Sequence, residues 1–231
     1  TGKPVRVIDR DTPTGLPLGD YDAASLGMDR VVDCVAALAC HAPPLAVFNM
    51  GTATTLSVVD GWGVFRGGMI LPGLALSLDA LSARAAQLPV ITLAPPEGLI
   101  GTDTEACMRC GTLYGAAGAI EGIAGRLEEQ FGPLTVVLTG GNSAYVHPLL
   151  RIPVIWEPNL TFLGLRELWL RQGSGGKRNP PTAADAPQPS GAIGWFRRPL
   201  RPAHRRGGTA HSGGFWSRRH VMTSFDARAA L

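Results

Sequence analysis

Apolar positions recur along this chain with two different periods, and the changes of period outline its elements. Leu26, Arg30, Val31, Cys34, Val35 and Leu38 fall at helical spacing and predict a helix over residues 25–40, with Ser25 as a candidate cap. Two short apolar runs, 45–49 and 55–60, flank a turn of Gly and hydroxyl residues and predict a β-hairpin. Residues 64–66 read as a third strand and residues 74–81, extending toward 86, as a helix that follows Pro72-Gly73. A long helix is predicted over 105–129 after the loop Gly101-Thr102-Asp103-Thr104, where two residues could cap it. A buried strand over 135–138 ends in Thr139-Gly140-Gly141-Asn142, and residues 160–170 form a final helix. At the start, residues 5–8 read as a short strand and 9–19 as polar turns. Strands and helices mixed in this order indicate an α/β domain, not a bundle or a sandwich.

Composition divides the chain in two. Residues 1–170 carry 10 Lys and Arg against 16 Asp and Glu, a net of −6. Residues 171–231 carry 11 against 2, a net of +9, and are rich in Pro, Gly and Arg with little apolar periodicity. That composition predicts a disordered basic tail. Trp195, Phe196, Phe215 and Trp216 lie among its arginines and could stack on bases. No RGG-type repeat or folded nucleic-acid motif accompanies them, so the reading is against nucleic-acid binding. No run of 18 apolar residues is present, so no membrane span is expected, and residues 1–20 lack a secretory leader pattern.

Candidate chemistry is concentrated in a few stretches. The turn Asn49-Met50-Gly51-Thr52-Ala53-Thr54-Thr55 offers backbone N–H groups and hydroxyls, a combination that suits a phosphate. An ordinary Thr-rich hairpin turn would look the same. Cys107-Met108-Arg109-Cys110 has C-x-x-C spacing, but on a helix it reads more simply as two small residues one turn apart. Sparse cysteines fit a reducing compartment. Gly111, Gly115, Gly118, Gly122 and Gly125 line one face of the long helix, predicting close packing against the sheet or against a second copy.

Four motifs then occur in one order: Tyr21 with Leu26-Gly27-Met28-Asp29-Arg30; Gly51-Thr52-Ala53-Thr54-Thr55; Gly67-Gly68 with Ile70-Leu71-Pro72-Gly73; and Gly101-Thr102-Asp103-Thr104 with Gly111. Thr139-Gly140-Gly141 closes the set. This order resembles type III pantothenate kinase, including its Bvg-accessory-factor-like relatives, over about residues 20–168. The resemblance implies an actin-like, ribonuclease H-like α/β fold of two similar halves. Residues 1–40 would be a remnant of the first half, 41–170 the second half, and 171–231 the tail. It also implies a cytoplasmic homodimer that transfers the ATP γ-phosphate to the primary hydroxyl of pantothenate, with Mg²⁺ and a monovalent cation, K⁺ or NH₄⁺.

By position, the resemblance makes Asp29 the catalytic base, where the unaided reading would be an Asp–Arg ion pair near a helix start. Gly27, Met28, Asp29 and Arg30 become the pantothenate-contacting stretch, with Arg30 facing the substrate carboxylate. Tyr21 and Thr104 become further substrate contacts, Thr104 across the dimer interface; a surface anchor and a helix cap are their plain alternatives. Thr52 becomes an ATP contact. Two departures stand out. The family's Asp-x-Gly-Asn-Thr motif, which helps hold ATP and Mg²⁺, does not occur, so the chain is expected to begin inside the first half. Asn49 occupies the position where the family has an Asp at the monovalent cation, and loss of that charge predicts weaker cation binding. A catalytically impaired relative acting as a nucleotide- or protein-binding module is the alternative reading.

Overall fold

The structure is a computed structural model and describes residues 5–173. Its elements in chain order are α1 (Met28–Cys40), β1 (Leu45–Met50), β2 (Ala53–Val59), β3 (Phe65–Pro72), α2 (Leu74–Arg84), α3 (Thr104–Phe131), β4 (Thr135–Thr139), α4 (Ser143–Val146), β5 (Ile155–Trp156) and α5 (Leu160–Gly173). The strands form one sheet in the order β3-β2-β1-β4-β5. β1, β2 and β3 are antiparallel neighbours, whereas β4 and β5 run parallel to β1. Helices on both faces of a mixed sheet give the α/β class expected from the sequence.

Strand β1 is central and covered on both faces, which explains its unbroken apolar run. Alternate residues go to opposite sides. Leu45 and Val47 join a core with Val31, Val35 and Ala36 of α1 and with Leu160 and Leu168 of α5. Ala46, Phe48 and Met50 join the other core with Leu113, Ala117, Ile120 and Ala124 of α3 and with Leu74 at the start of α2. Gly164 of α5 meets α1 so closely that a Cβ there would overlap the Val32 carbonyl.

Several predicted elements change on inspection. Residues 5–8 form no strand: Val5 and Val7 are exposed, and Arg6 lies over the Trp169 ring at 4.6 Å. Ser25 does not cap α1. The N-cap is Gly27, and the Ser25 hydroxyl donates to the Asp22 carbonyl instead. Strand β3 runs on to Pro72, through glycines that propensity counts against strands. Gly68 is needed there because a Cβ would overlap the Leu56 carbonyl and crowd the Arg30 guanidinium. The glycines of α3 do not pack on the sheet. Gly111, Gly115, Gly118 and Gly125 would point a Cβ into open space, and the buried face is Met108, Leu113, Ala117, Ile120, Ala124 and Leu127. Except for 171–173, the basic stretch 171–231 lies outside the described residues.

The β2–β3 connection is closed by Asp60. Its Oδ1 accepts from the N–H groups of Trp62 and Val64 at 2.9 and 3.0 Å, and its Oδ2 pairs with Arg66 at 2.6 Å. Burial pushes this carboxyl upward, but the backbone donors and Arg66 outweigh it and hold it below the usual carboxylate range. A lowered folded value means that the ionised form stabilises the fold above the unfolded value, near 4, and that this is lost as pH falls through the folded value. Asp60→Asn is therefore expected to cost about 1.5–3 kcal/mol in urea unfolding at pH 7 and progressively less toward pH 3. Gly164→Ala should cost about 1–3 kcal/mol by wedging α5 off α1, whereas Gly125→Ala should be neutral or gain up to about 1 kcal/mol in the same measurement.

Candidate active site

Three parallel strands end at one edge of the sheet, the edge where open α/β sheets place their ligands. Helix α1 returns into β1 through the short bend 41–44, so its first turn reaches that same edge. The alternation that buries Leu45 and Val47 against α1 also turns Asn49 toward α1. Asn49 pairs with Thr55 on one side and Thr139 on the other, so the apolar face becomes polar at its end.

The residue of α1 that meets Asn49 is Asp33. Asn49 Nδ2 donates to Asp33 Oδ2 at 2.6 Å, and Thr161 Oγ1 of α5 donates to Oδ1 at 2.6 Å. Asp33 is 2% exposed. Burial pushes its carboxyl above the usual range, the two donors pull it back, and Asp29 one helical turn away adds a like-charge push. Nothing in the sequence motifs singled out Asp33 or Thr161; 128 residues separate these partners.

Asp29 itself is exposed in the first turn of α1, where a carboxylate suits the helix end. Its neighbour Arg30 is buried, with Nε donating to Ser57 Oγ at 3.1 Å and Nη2 to the Leu56 carbonyl at 2.9 Å. Nη1 reaches the Tyr21 hydroxyl at 3.4 Å. The guanidinium lies over Phe65 at 5.4 Å, and Tyr21 meets Phe65 edge-on. Arg30 has no carboxylate in salt-bridge range among the described residues. The pair Asp29–Arg30 is thus not an ion pair. Gly27 supplies the cap position and Met28 is half-buried against the α1 core.

The hairpin tip carries Gly51 and Thr52 beyond Asn49. It is braced from both sides: Asn142 Nδ2 donates to the Gly51 carbonyl at 3.0 Å, and the Gly73 N–H to the Thr52 carbonyl at 3.1 Å. The brace on the β4 side requires glycine at 140, where φ is +92° and a Cβ would lie 2.5 Å from the Met50 nitrogen. Gly73 is equally close to the tip backbone on the other side. The Gly51 N–H is spent on the Ala53 carbonyl, whereas the Thr52 N–H and hydroxyl have no partner among the described residues. Only part of the expected donor set is therefore open. Beyond Asn142, Trp156 at the end of β5 stacks on His147 at 4.8 Å and donates to Ser143 Oγ, an aromatic wall that the sequence reading missed.

Asp29, one turn before Asp33 on α1, thus lies toward the edge that carries Asn49, Gly51 and Thr52, whereas Arg30 reaches the middle of β2 and Tyr21 packs on Phe65 and Gly67, which pair with Val59 and Val58 at the far end of β2. Thr104 stands apart from them. It is the exposed first residue of α3, whose N-cap is Asp103 accepting from the Ala106 N–H, and it borders a groove between α2 and α3.

Comparisons with known proteins bear on the family and the fold. The family model for type III pantothenate kinase matches residues 1–126. Curated relatives called type III pantothenate kinase include those of Rhodospirillum centenum (44% identical over 176 residues), Moorella thermoacetica (39% over 166) and Phenylobacterium zucineum (37% over 166). These alignments cover 74%, 71% and 71% of this chain and 67%, 65% and 65% of the relatives, so the chain spans about two thirds of their length. A solved structure of a Baf family transcriptional activator from Campylobacter jejuni shares the fold, with a TM-score of 0.52 at 20% identity over 71% of this chain and 72% of that one. On the family match and these identities, the chain belongs to the type III pantothenate kinase family.

Proposed function

We propose that the chain transfers the γ-phosphate of ATP to the primary hydroxyl of pantothenate, the first step of coenzyme A biosynthesis. The observation that carries this reading is an exposed Asp29 next in sequence to a buried Arg30 that has no carboxylate in salt-bridge range among the described residues. Burying a lone cation is costly, and a ligand carboxylate would offset it. Pantothenate offers that carboxylate and a hydroxyl on one small molecule. Arg30 is held by Ser57 and Leu56, so it binds the carboxylate without first losing side-chain freedom, and Tyr21, Gly27 and Met28 complete the substrate wall. Asp29 takes the hydroxyl proton as the oxygen attacks the γ-phosphorus and ADP leaves. Thr52 contacts the nucleotide phosphates through its open N–H and hydroxyl.

Mg²⁺ enters this reading with ATP. Among the described residues no group of three His, Cys, Asp or Glu assembles, and no residue is assigned to it. A monovalent cation fits better, because oxygens, neutral or carboxylate, can ligate K⁺ and accept from NH₄⁺, and Asn49 has its Oδ1 beside Gly140 at the strand end. It would supply positive charge next to the phosphates. In the same reading residues 41–170 are the second ribonuclease H-like half and residues 1–40 belong to the first. No helix among the described residues is long and apolar enough to cross a membrane, which is compatible with the cytoplasm.

The homodimer is supported by the groove of about 1240 Å³ between α2 and α3, which exposes Leu76 and Leu81 beside Gly111 and Gly115 and carries Thr104 on its rim. A second copy seated there would turn Thr104 into a contact for the partner's substrate. Gly115→Arg should convert a dimer into a monomer in sedimentation equilibrium and abolish turnover together.

Radiolabelled ATP, pantothenate and KCl are expected to give phosphopantothenate with the full chain. Asp29→Asn should lower kcat by about 10²–10⁴ with little change in thermal stability. Turnover that survives this substitution would overturn the base assignment. Nucleotide binding with no turnover under any condition would favour a binding module.

A further inference from the structure

Asn49 departs from the aspartate expected at its position, and the sequence alone predicts that a negative charge is lost there. The structure puts a carboxylate back within one hydrogen bond. Asp33 comes from the opposite wall, on α1, and its Oδ2 takes the Asn49 Nδ2 proton at 2.6 Å. Because Asp33 in its ionised form is an acceptor only, it fixes which way the amide points. The nitrogen faces α1, and Oδ1 faces the Gly140 backbone, where a Cβ would lie 2.6 Å from it. Thr161 holds the other Asp33 oxygen, so the carboxylate cannot swing away.

Charge arithmetic makes the two residues a matched set. An aspartate at 49 would bring two carboxylates to hydrogen-bonding distance, which like-charge repulsion and burial both oppose. An asparagine at both positions would leave the site neutral. One carboxylate and one amide keep a single negative charge at the end of β1, shared across the strand–helix contact.

We propose that Asp33 is a positioning residue that supplies, from helix α1, the negative charge of the monovalent-cation site and orients Asn49 Oδ1 as its neutral oxygen ligand. This rests on the cation reading given above. The loss of affinity expected from Asn49 alone is thereby compensated.

The test compares the full wild-type chain with Asp33→Asn and with the exchanged pair Asp33→Asn/Asn49→Asp. Thermal unfolding is followed in KCl and in tetramethylammonium chloride at equal ionic strength. The half-saturating K⁺ concentration is measured in the ATP–pantothenate assay. Wild type should gain Tm specifically from K⁺. Asp33→Asn should lose that gain and need about 10- to 100-fold more K⁺. The exchanged pair should recover both, because the charge returns on the strand.

If Asp33→Asn keeps the K⁺-specific shift and its half-saturation within about 2-fold of wild type, the proposal is overturned. Recovery of stability in tetramethylammonium by the exchanged pair, without any change in K⁺ response across the series, would also overturn it and leave a purely structural pair. Turnover by wild type with no K⁺ dependence would remove the cation reading, and this inference with it, while leaving the kinase reading intact.

Discussion

A single strand sandwiched between two helical layers governs this domain. β1 cannot shift by one residue without sending Leu45 and Val47 into the α3 core and Phe48 and Met50 toward α1. The same register turns Asn49 toward Asp33 and leaves Gly51 and Thr52 beyond the sheet edge. Packing and site geometry are therefore one constraint. The polar face at the strand end exists because the apolar face below it is filled, and because β4 continues the alternation with Thr139 beside Asn49.

Electrostatics at this edge divide between two kinds of charge. Asp29 stands in solvent, while Asp33 is buried and hydrogen-bonded through both oxygens. Two aspartates one helical turn apart thus differ in accessibility far more than in chemistry. Arg30, between them in sequence, points instead to β2, where Ser57 and the Leu56 carbonyl hold it. A short segment of α1 in this way presents an exposed carboxylate, a buried cation and a buried carboxylate to three different surroundings.

Much of this was legible in the residues. The helical period of 25–40, the hairpin around Gly51 and the long helix up to Glu129 follow from periodicity and turn chemistry, and the ordered motifs led to the family. What escaped was of two kinds. Strand β3 was cut short because its glycines argue against a strand until the Leu56 carbonyl and Arg30 are seen above Gly68. Asp33, Thr161 and Trp156 escaped because each acts through a partner supplied by folding, and local sequence contains no trace of a contact spanning 128 residues. The glycine face of α3 was visible as a pattern, yet the pattern alone could not say whether it met the sheet.

The glycines at 68, 73, 140 and 164 all fill places where one stretch of backbone presses directly on another. Their requirement comes from architecture, and a descendant with a different function would still have to keep them to remain folded. Retention of these positions in a divergent sequence would accordingly certify the scaffold and carry no information about whether its chemistry survives.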